Sequence, residues 1–397
     1  MLLLPYRKLV VPALLVLLIS WLFSNSFEEK KANLKKHQIV LLFILPFIFY
    51  LVGMLYSSNQ SFGWKDIETK LALLVFPLIY SSGKSLYAKH RLLAMCFIFS
   101  MGICSILSIV IGAFKYGRIP FYEMMDVFLH PSYLAMYLNL AFAFAIILFY
   151  AQMKTGYTVF LVASSICIST GVWLSQSKSG ILIWVLLMMA TICYNLFFRK
   201  RFIGLSLAIV AAAISFGFFS YYQLPGFKER FTYAITSVFS TDEKVDPSTT
   251  ESSHVRMLIW EQALKLIEEN PLLGAGTGDI KDELYVKYEQ AGMTGALQGK
   301  LNVHNQYLQV FATLGLFGFT AFLLSILLPL YLSLRNRNFY YLAIFLVFGI
   351  NVLFESMLER QDGVIFFAFF NSLLFFHFYK GNEIHNSGKL SKNEELQ

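Results

Sequence analysis

Apolar runs long enough to cross a bilayer recur along this chain, separated by short polar breaks that often carry lysine or arginine. A membrane-spanning helix needs ~17–25 predominantly apolar residues. By that measure eleven runs stand out, at about 9–23, 38–56, 67–82, 91–114, 130–150, 157–175, 179–198, 202–222, 304–334, 339–355 and 363–379, the first and third being short. The pattern predicts an all-α polytopic membrane protein with eleven or twelve transmembrane helices. It divides the chain into an N-terminal bundle over 1–222, one large polar loop over 223–303, C-terminal helices over 304–379, and a polar tail over 380–397 that reads as disordered.

Inside the large loop the pattern changes period. Val255, Leu258, Ile259, Ala263, Leu266 and Ile267 recur at helical spacing and predict one apolar face, with Ser252 or Ser253 as the cap. Arg256 and Trp260, four residues apart, share a different face. Pro271 and the glycines after it end that helix. Residues 223–252, rich in Thr, Ser, Asp and Glu, read as irregular backbone.

Composition agrees with a membrane protein: 57% hydrophobic, 14% charged, a mean hydropathy of +0.60, with 40 Phe and 22 Tyr. The formal charge of +8 could suggest a nucleic-acid partner, but the loop over 223–303 carries 8 Lys/Arg against 12 Asp/Glu. The cations therefore sit in the short connections, leaving no basic face for phosphates and no case for nucleic acid. Cys96, Cys104, Cys167 and Cys193 all fall in apolar runs without metal-ligand spacing, so no metal and no cofactor is expected. The first apolar run lacks a small-residue cleavage site and does not read as a cleavable signal.

Cations prefer cytoplasmic loops. One alternating set of connections contains Lys30, Lys31, Lys35, Lys36, Lys84, Lys89, Arg91, Lys154, Arg199, Lys200, Arg201, Arg335 and Arg337, then Lys380, Lys389 and Lys392 in the tail. The opposite set holds half as many. The first set is thus cytoplasmic, and the loop over 223–303 faces outward together with the polar residues considered next.

His304 stands just before a long apolar run, at the outer boundary. It reads either as an interfacial histidine bonded to a nearby carbonyl or as a proton acceptor working near neutral pH. Arg256 either holds its helix to headgroups, pairs with Glu261 or another loop acid, or clamps phosphate through its guanidinium. Lys178, in Ser175-Gln176-Ser177-Lys178-Ser179-Gly180, is a snorkelling lysine or a cation required in a short outer turn. Glu355, Glu359, Arg360 and Asp362 form a solvated charge cluster or line a pocket, and His130, opening another run, reaches the same cavity. Gly274-Ala275-Gly276-Thr277-Gly278 resembles a nucleotide loop only superficially. It follows a helix and lacks the required spacing, so it reads as a sharp turn.

Arg256 with Trp260, then Asn270-Pro271-Leu272-Leu273-Gly274-Ala275-Gly276-Thr277-Gly278, His304-Asn305-Gln306-Tyr307-Leu308 and Leu314-Gly315-Leu316-Phe317-Gly318 together resemble the O-antigen ligase/polymerase family. The resemblance implies a GT-C-like fold with a large periplasmic loop, placed in the bacterial inner membrane with the active site facing the periplasm. It implies transfer of a glycan from undecaprenyl diphosphate to lipid A–core or another acceptor, without metal or nucleotide sugar. It assigns His304 as the catalytic histidine and Arg256 as a diphosphate ligand. Lys178 stands where the family has an arginine, keeping the charge but losing the bidentate fork. Asn305, Tyr307, His130 and Glu355 are then pocket candidates. A polymerase joining repeat units and a protein O-oligosaccharyltransferase share donor and site. A lipid-linked glycan transporter would instead call for charged or broken helices near mid-membrane and an internal repeat, which the sequence does not display.

Overall fold

The computed structural model describes residues 1–83, 89–118, 122–151, 155–199 and 253–394, with isolated positions between 204 and 248 and only the backbone beyond residue 377. The regular elements among the described residues are all helices. The N-terminal part comprises α1 (Arg7–Ser24), α2 (Phe27–Lys36), α3 (Val40–Met54), α4 (Gln60–Lys70), α5 (Ala72–Ser82), α6 (His90–Tyr116), α7 (Pro131–Tyr150), α8 (Thr155–Leu174) and α9 (Lys178–Phe198). After the loop segment come α10 (Ser253–Glu269), α11 (Ile280–Gln290) and α12 (Thr294–Gln298), then α13 (Gln306–Arg335), α14 (Phe339–Phe354) and α15 (Gln361–Glu394). The expected span at 202–222, the irregular stretch 223–252 with Ser252, and Lys84, Lys154, Lys200 and Arg201 lie outside the described residues, apart from isolated positions, while Ser253 is the first residue of α10.

Among the described helices six are long and apolar enough to cross a membrane, and the α2–α3 pair, bent by 96°, makes a seventh if taken as one span. Eleven spans are more than these residues reach. The expected run at 67–82 divides at Leu71, because its first residues belong to the polar α4. The 11 residues of α5 are too few to cross alone at about 1.5 Å per residue. The tail also departs from expectation, since α15 continues as helix to Glu394 where apolar residues have already given out.

The bundle is built around α7, where 133–145 are buried on every side. A helix apolar all round belongs in the centre of a bundle, and α7 packs against α6, α8, α9 and α14. By contrast α1 buries only Val10 and stands at the periphery.

The loop segment has a core of its own. Val255, Ile259, Ala263, Leu266 and Ile267 of α10 pack with Ile280, Leu284 and Tyr288 of α11, Met293, Ala296, Val303, and Ala312 of α13. The predicted apolar face of α10 is the one buried, with Leu258 at its half-buried margin.

The glycine-rich turn joins this small core to the bundle. α13 is broken at Gly315, which has φ 62° and ψ −166°. A broken helix, which the sequence did not display, is therefore present. Its freed backbone groups are taken up by the turn: the Ala275 and Gly276 amides donate to the Ala312 and Thr313 carbonyls at 2.8 and 2.9 Å, and the Leu316 amide donates to the Pro271 carbonyl at 2.9 Å. On its other side Thr277 Oγ1 donates to the Tyr50 carbonyl, while Asp279 accepts from the Ser58 and Asn59 amides. The break serves as a socket for chain 271–276, which explains why both motifs are rich in glycine.

Candidate functional site

His304 begins from a strained backbone. Its φ is 53°, in the left-handed region that few non-glycine residues occupy. Three neighbours hold it there: Trp260 Nε1 donates to the Val303 carbonyl, the Val303 amide donates to Gln309 Oε1, and the His304 amide donates to Asn302 Oδ1. One residue on, Asn305 caps α13 by accepting from the Tyr307 and Leu308 amides. The Gln306 Oε1 then accepts from the Leu358 amide at 2.6 Å, drawing the α14–α15 connection against the start of α13.

That connection delivers Glu355. Its Oε1 lies 3.0 Å from His304 Nδ1, across 51 residues of sequence. Arg256 donates to the carbonyl of Phe354 at 2.9 Å, and its second guanidinium nitrogen stands 3.8 Å from Glu355 Oε2. Burial pushes the Glu355 carboxyl up, but His304, Arg256 and His130 outweigh it and hold the group below its ordinary value. Glu355 is therefore ionised near neutrality and accepts only, so His304 donates to it through Nδ1. The side chains of His304 and Glu355 are 20% and 16% exposed, so the pair is half-sheltered.

The lowered carboxyl also sets the sign of the pH dependence. Its stabilising contribution is present above the unfolded value and is lost as pH falls through the folded one. Glu355→Gln, which keeps the shape and removes the charge, is expected to slow the reaction of this site by on the order of a hundredfold while the protein stays folded. Rates for Glu355→Gln within a factor of two of native at pH 7 would dismiss the dyad.

The other sequence candidates divide into those in contact and those nearby. His130, at the start of α7, is close enough for its charge to act on Glu355 and Asp362. Lys178 opens α9 at the same end of the bundle, exposed. Its neighbour Ser179 donates to Asn351 Oδ1 at 2.9 Å, and the Asn351 carbonyl accepts from the Glu355 amide at 3.0 Å. Two hydrogen bonds thus couple the Lys178 turn to the dyad. Asn305 and Tyr307 shape the site rather than face it, since Asn305 is a helix cap and the Tyr307 ring packs 6.0 Å from that of Phe322.

One open choice is narrowed and one expectation is corrected. The acid beside Arg256 is Glu355, while Glu261 pairs with Lys265 at 2.9 Å. The acidic group at 355–362 is not a solvated cluster, because Glu359 and Asp362 are buried and Glu355 faces His304. The structure also adds a group that sequence reasoning missed. Lys70, fully buried, lies 2.5 Å from Asp66 and 3.4 Å from Glu359, with Nζ 4.6 Å from the Tyr50 ring centre. Losing Lys70 would leave both buried carboxylates without their cation, so this triad pins the α14–α15 connection to α4. The i,i+4 spacing of Asp66 and Lys70 is half a signal; Glu359 joins only in three dimensions.

Residues 160–323 match the family model described as O-antigen ligase. The match takes in Lys178, Arg256, Trp260 and His304, and leaves His130 and Glu355 outside. A Haemophilus influenzae protein described as uncharacterized is 27% identical over 325 residues, covering 79% of this chain and 75% of its own length.

Proposed function

We propose that this chain, whose residues 160–323 match the O-antigen ligase family model, transfers a finished glycan from undecaprenyl diphosphate to lipid A–core, at the periplasmic face of a bacterial inner membrane. The observation that carries the reading is the His304–Glu355 dyad beside Arg256, at one end of a helical bundle.

The proposed step is a single displacement at the anomeric carbon. His304 Nε2 takes the proton of the acceptor hydroxyl as its oxygen bonds to that carbon. The bond from the carbon to the diphosphate oxygen breaks, and the diphosphate leaves with the electron pair. Arg256 and Lys178 face that developing charge, the setting in which fixed cations contribute most. Arg256 gives one donor to Phe354 and sets its second nitrogen against Glu355, and its further N–H groups are the ones that meet phosphate oxygens. Lys178 acts as a point charge.

The test offers purified protein an undecaprenyl-diphosphate oligosaccharide, alone and with lipid A–core, and reads product masses. One glycan added to lipid A–core is the expected result. A ladder of lengthened donor would replace the ligase by a polymerase; transfer only to a protein acceptor would make it an oligosaccharyltransferase. No product with any acceptor would overturn glycan transfer.

A further inference from the structure

The turn between α8 and α9 satisfies nearly all of its own polar groups. Ser175 Oγ donates to the Val172 carbonyl at 2.6 Å and accepts from the Ser177 amide at 3.3 Å. Ser177 Oγ caps α9 by accepting from the Gly180 amide, and Ser179 reaches Asn351. Asn139 of α7 donates to the Gly180 carbonyl at 2.9 Å. Gln176 stands apart. It is 7% exposed, yet both its amide nitrogen and its amide oxygen are buried without a hydrogen-bond partner. Its backbone is also left-handed, at φ 49°.

Each property is costly. A buried amide left without partners loses the hydrogen bonds it would make to water, and a left-handed φ at a non-glycine residue is strained. Both fall on one residue, two positions before Lys178 and in the turn coupled to Glu355. Strain and unused hydrogen-bonding capacity at one place mark a position where a ligand that opens the turn supplies the missing partners.

Resting on the glycan-transfer reading above, we infer that the Gln176 carboxamide recognises hydroxyl groups on the first sugar ring of the donor, next to the diphosphate. The chemistry of the amide selects this ligand. Its nitrogen needs acceptors and its oxygen needs a donor. An ionised diphosphate offers acceptors alone, and a polyprenyl tail offers neither. Neighbouring hydroxyls on a pyranose offer both. Gln176 is then a specificity residue, while Lys178 answers to the diphosphate shared by every such donor.

The experiment measures equilibrium binding to the full chain in nanodiscs, with bare undecaprenyl diphosphate and with undecaprenyl-diphosphate N-acetylglucosamine. It compares the native protein with Gln176→Met, which keeps the length of the side chain, and Gln176→Gly, which also removes the backbone strain. Native protein is expected to bind the glycosylated lipid about tenfold more tightly than the bare one, the scale of one or two well-made hydrogen bonds. Both variants should lose that preference and keep native affinity for bare undecaprenyl diphosphate. Equal native affinity for the two lipids, or a preference that survives in Gln176→Met and Gln176→Gly, would overturn the inference alone. Equal weakening toward both lipids would make Gln176 a structural part of the turn and overturn it as well. Native protein that binds neither lipid would instead bring down the glycan-transfer reading on which it rests.

Discussion

His304→Ala is expected to abolish glycan transfer while leaving the protein in the membrane at native abundance. Removing a positioned base costs roughly 10²–10⁴-fold in rate, and among the described side chains His304 is the imidazole hydrogen-bonded to Glu355. His130 acts on Glu355 through its charge, while His304 touches the carboxylate directly. The substitution has a second consequence. With His304 gone, two of the interactions that lower the Glu355 carboxyl disappear, and burial, which pushes it up, goes less opposed. The pH dependence of stability should therefore change along with the activity: the contribution that native protein loses on acidification should shrink or shift to higher pH in the variant. Product masses report the first effect, and thermal melting across pH 4–8 would follow the second. Near-native transfer by His304→Ala would remove the histidine from the mechanism. Lost transfer with an unchanged acid dependence would keep the catalytic role and deny the pairing with Glu355.

Gly315→Ala carries the second large effect, this time on folding. A Cβ placed there would stand 2.3 Å from the carbonyl carbon and oxygen of Leu272 and 2.4 Å from the Leu273 nitrogen. These are backbone atoms that cannot rotate away. The conformation itself, φ 62° with ψ −166°, is essentially reserved for glycine. Strain and overpacking together point to a loss of about 3–5 kcal/mol, enough to undock the 271–276 turn from the break in α13. Melting temperature and the yield of monodisperse protein in detergent check this. Gly349→Ala in α14 is the matched control, since a Cβ there meets nothing within 4 Å. It should melt with native protein or slightly above it. If Gly315→Ala melts with Gly349→Ala, the interlock does not hold the loop to the bundle.

The two predictions mark the boundary between what a sequence reader reaches and what needs coordinates. His304 was legible because an imidazole at the mouth of a long apolar run, inside a His-Asn-Gln-Tyr motif, is uncommon enough to be noticed. Arg256 was legible for a similar reason, standing on the non-apolar face of a helix whose buried face was itself readable. Glu355 was visible only as one acid among several, with nothing local to separate the residue that holds His304 from the one that holds Lys70. Gln176 was passed over, because neither its backbone angle nor its lack of partners leaves a trace in composition.

By itself the sequence determined the all-helical bundle, the long helices α6 to α9 to within about two residues, the apolar stripe of α10, and the turn at Pro271. Each depends on contacts within a few residues, where periodicity, caps and breakers act. Only the tertiary structure decided the pairing of His304 with Glu355, the docking of one glycine-rich segment into a helix broken at another, the division of α4 from α5, and the burial of Lys70 between two carboxylates. Apart from the division at Leu71 and the Asp66–Lys70 pair, these join residues 37 to 289 positions apart. Such partners are chosen by which faces the packed helices present to each other, and no local pattern carries that choice.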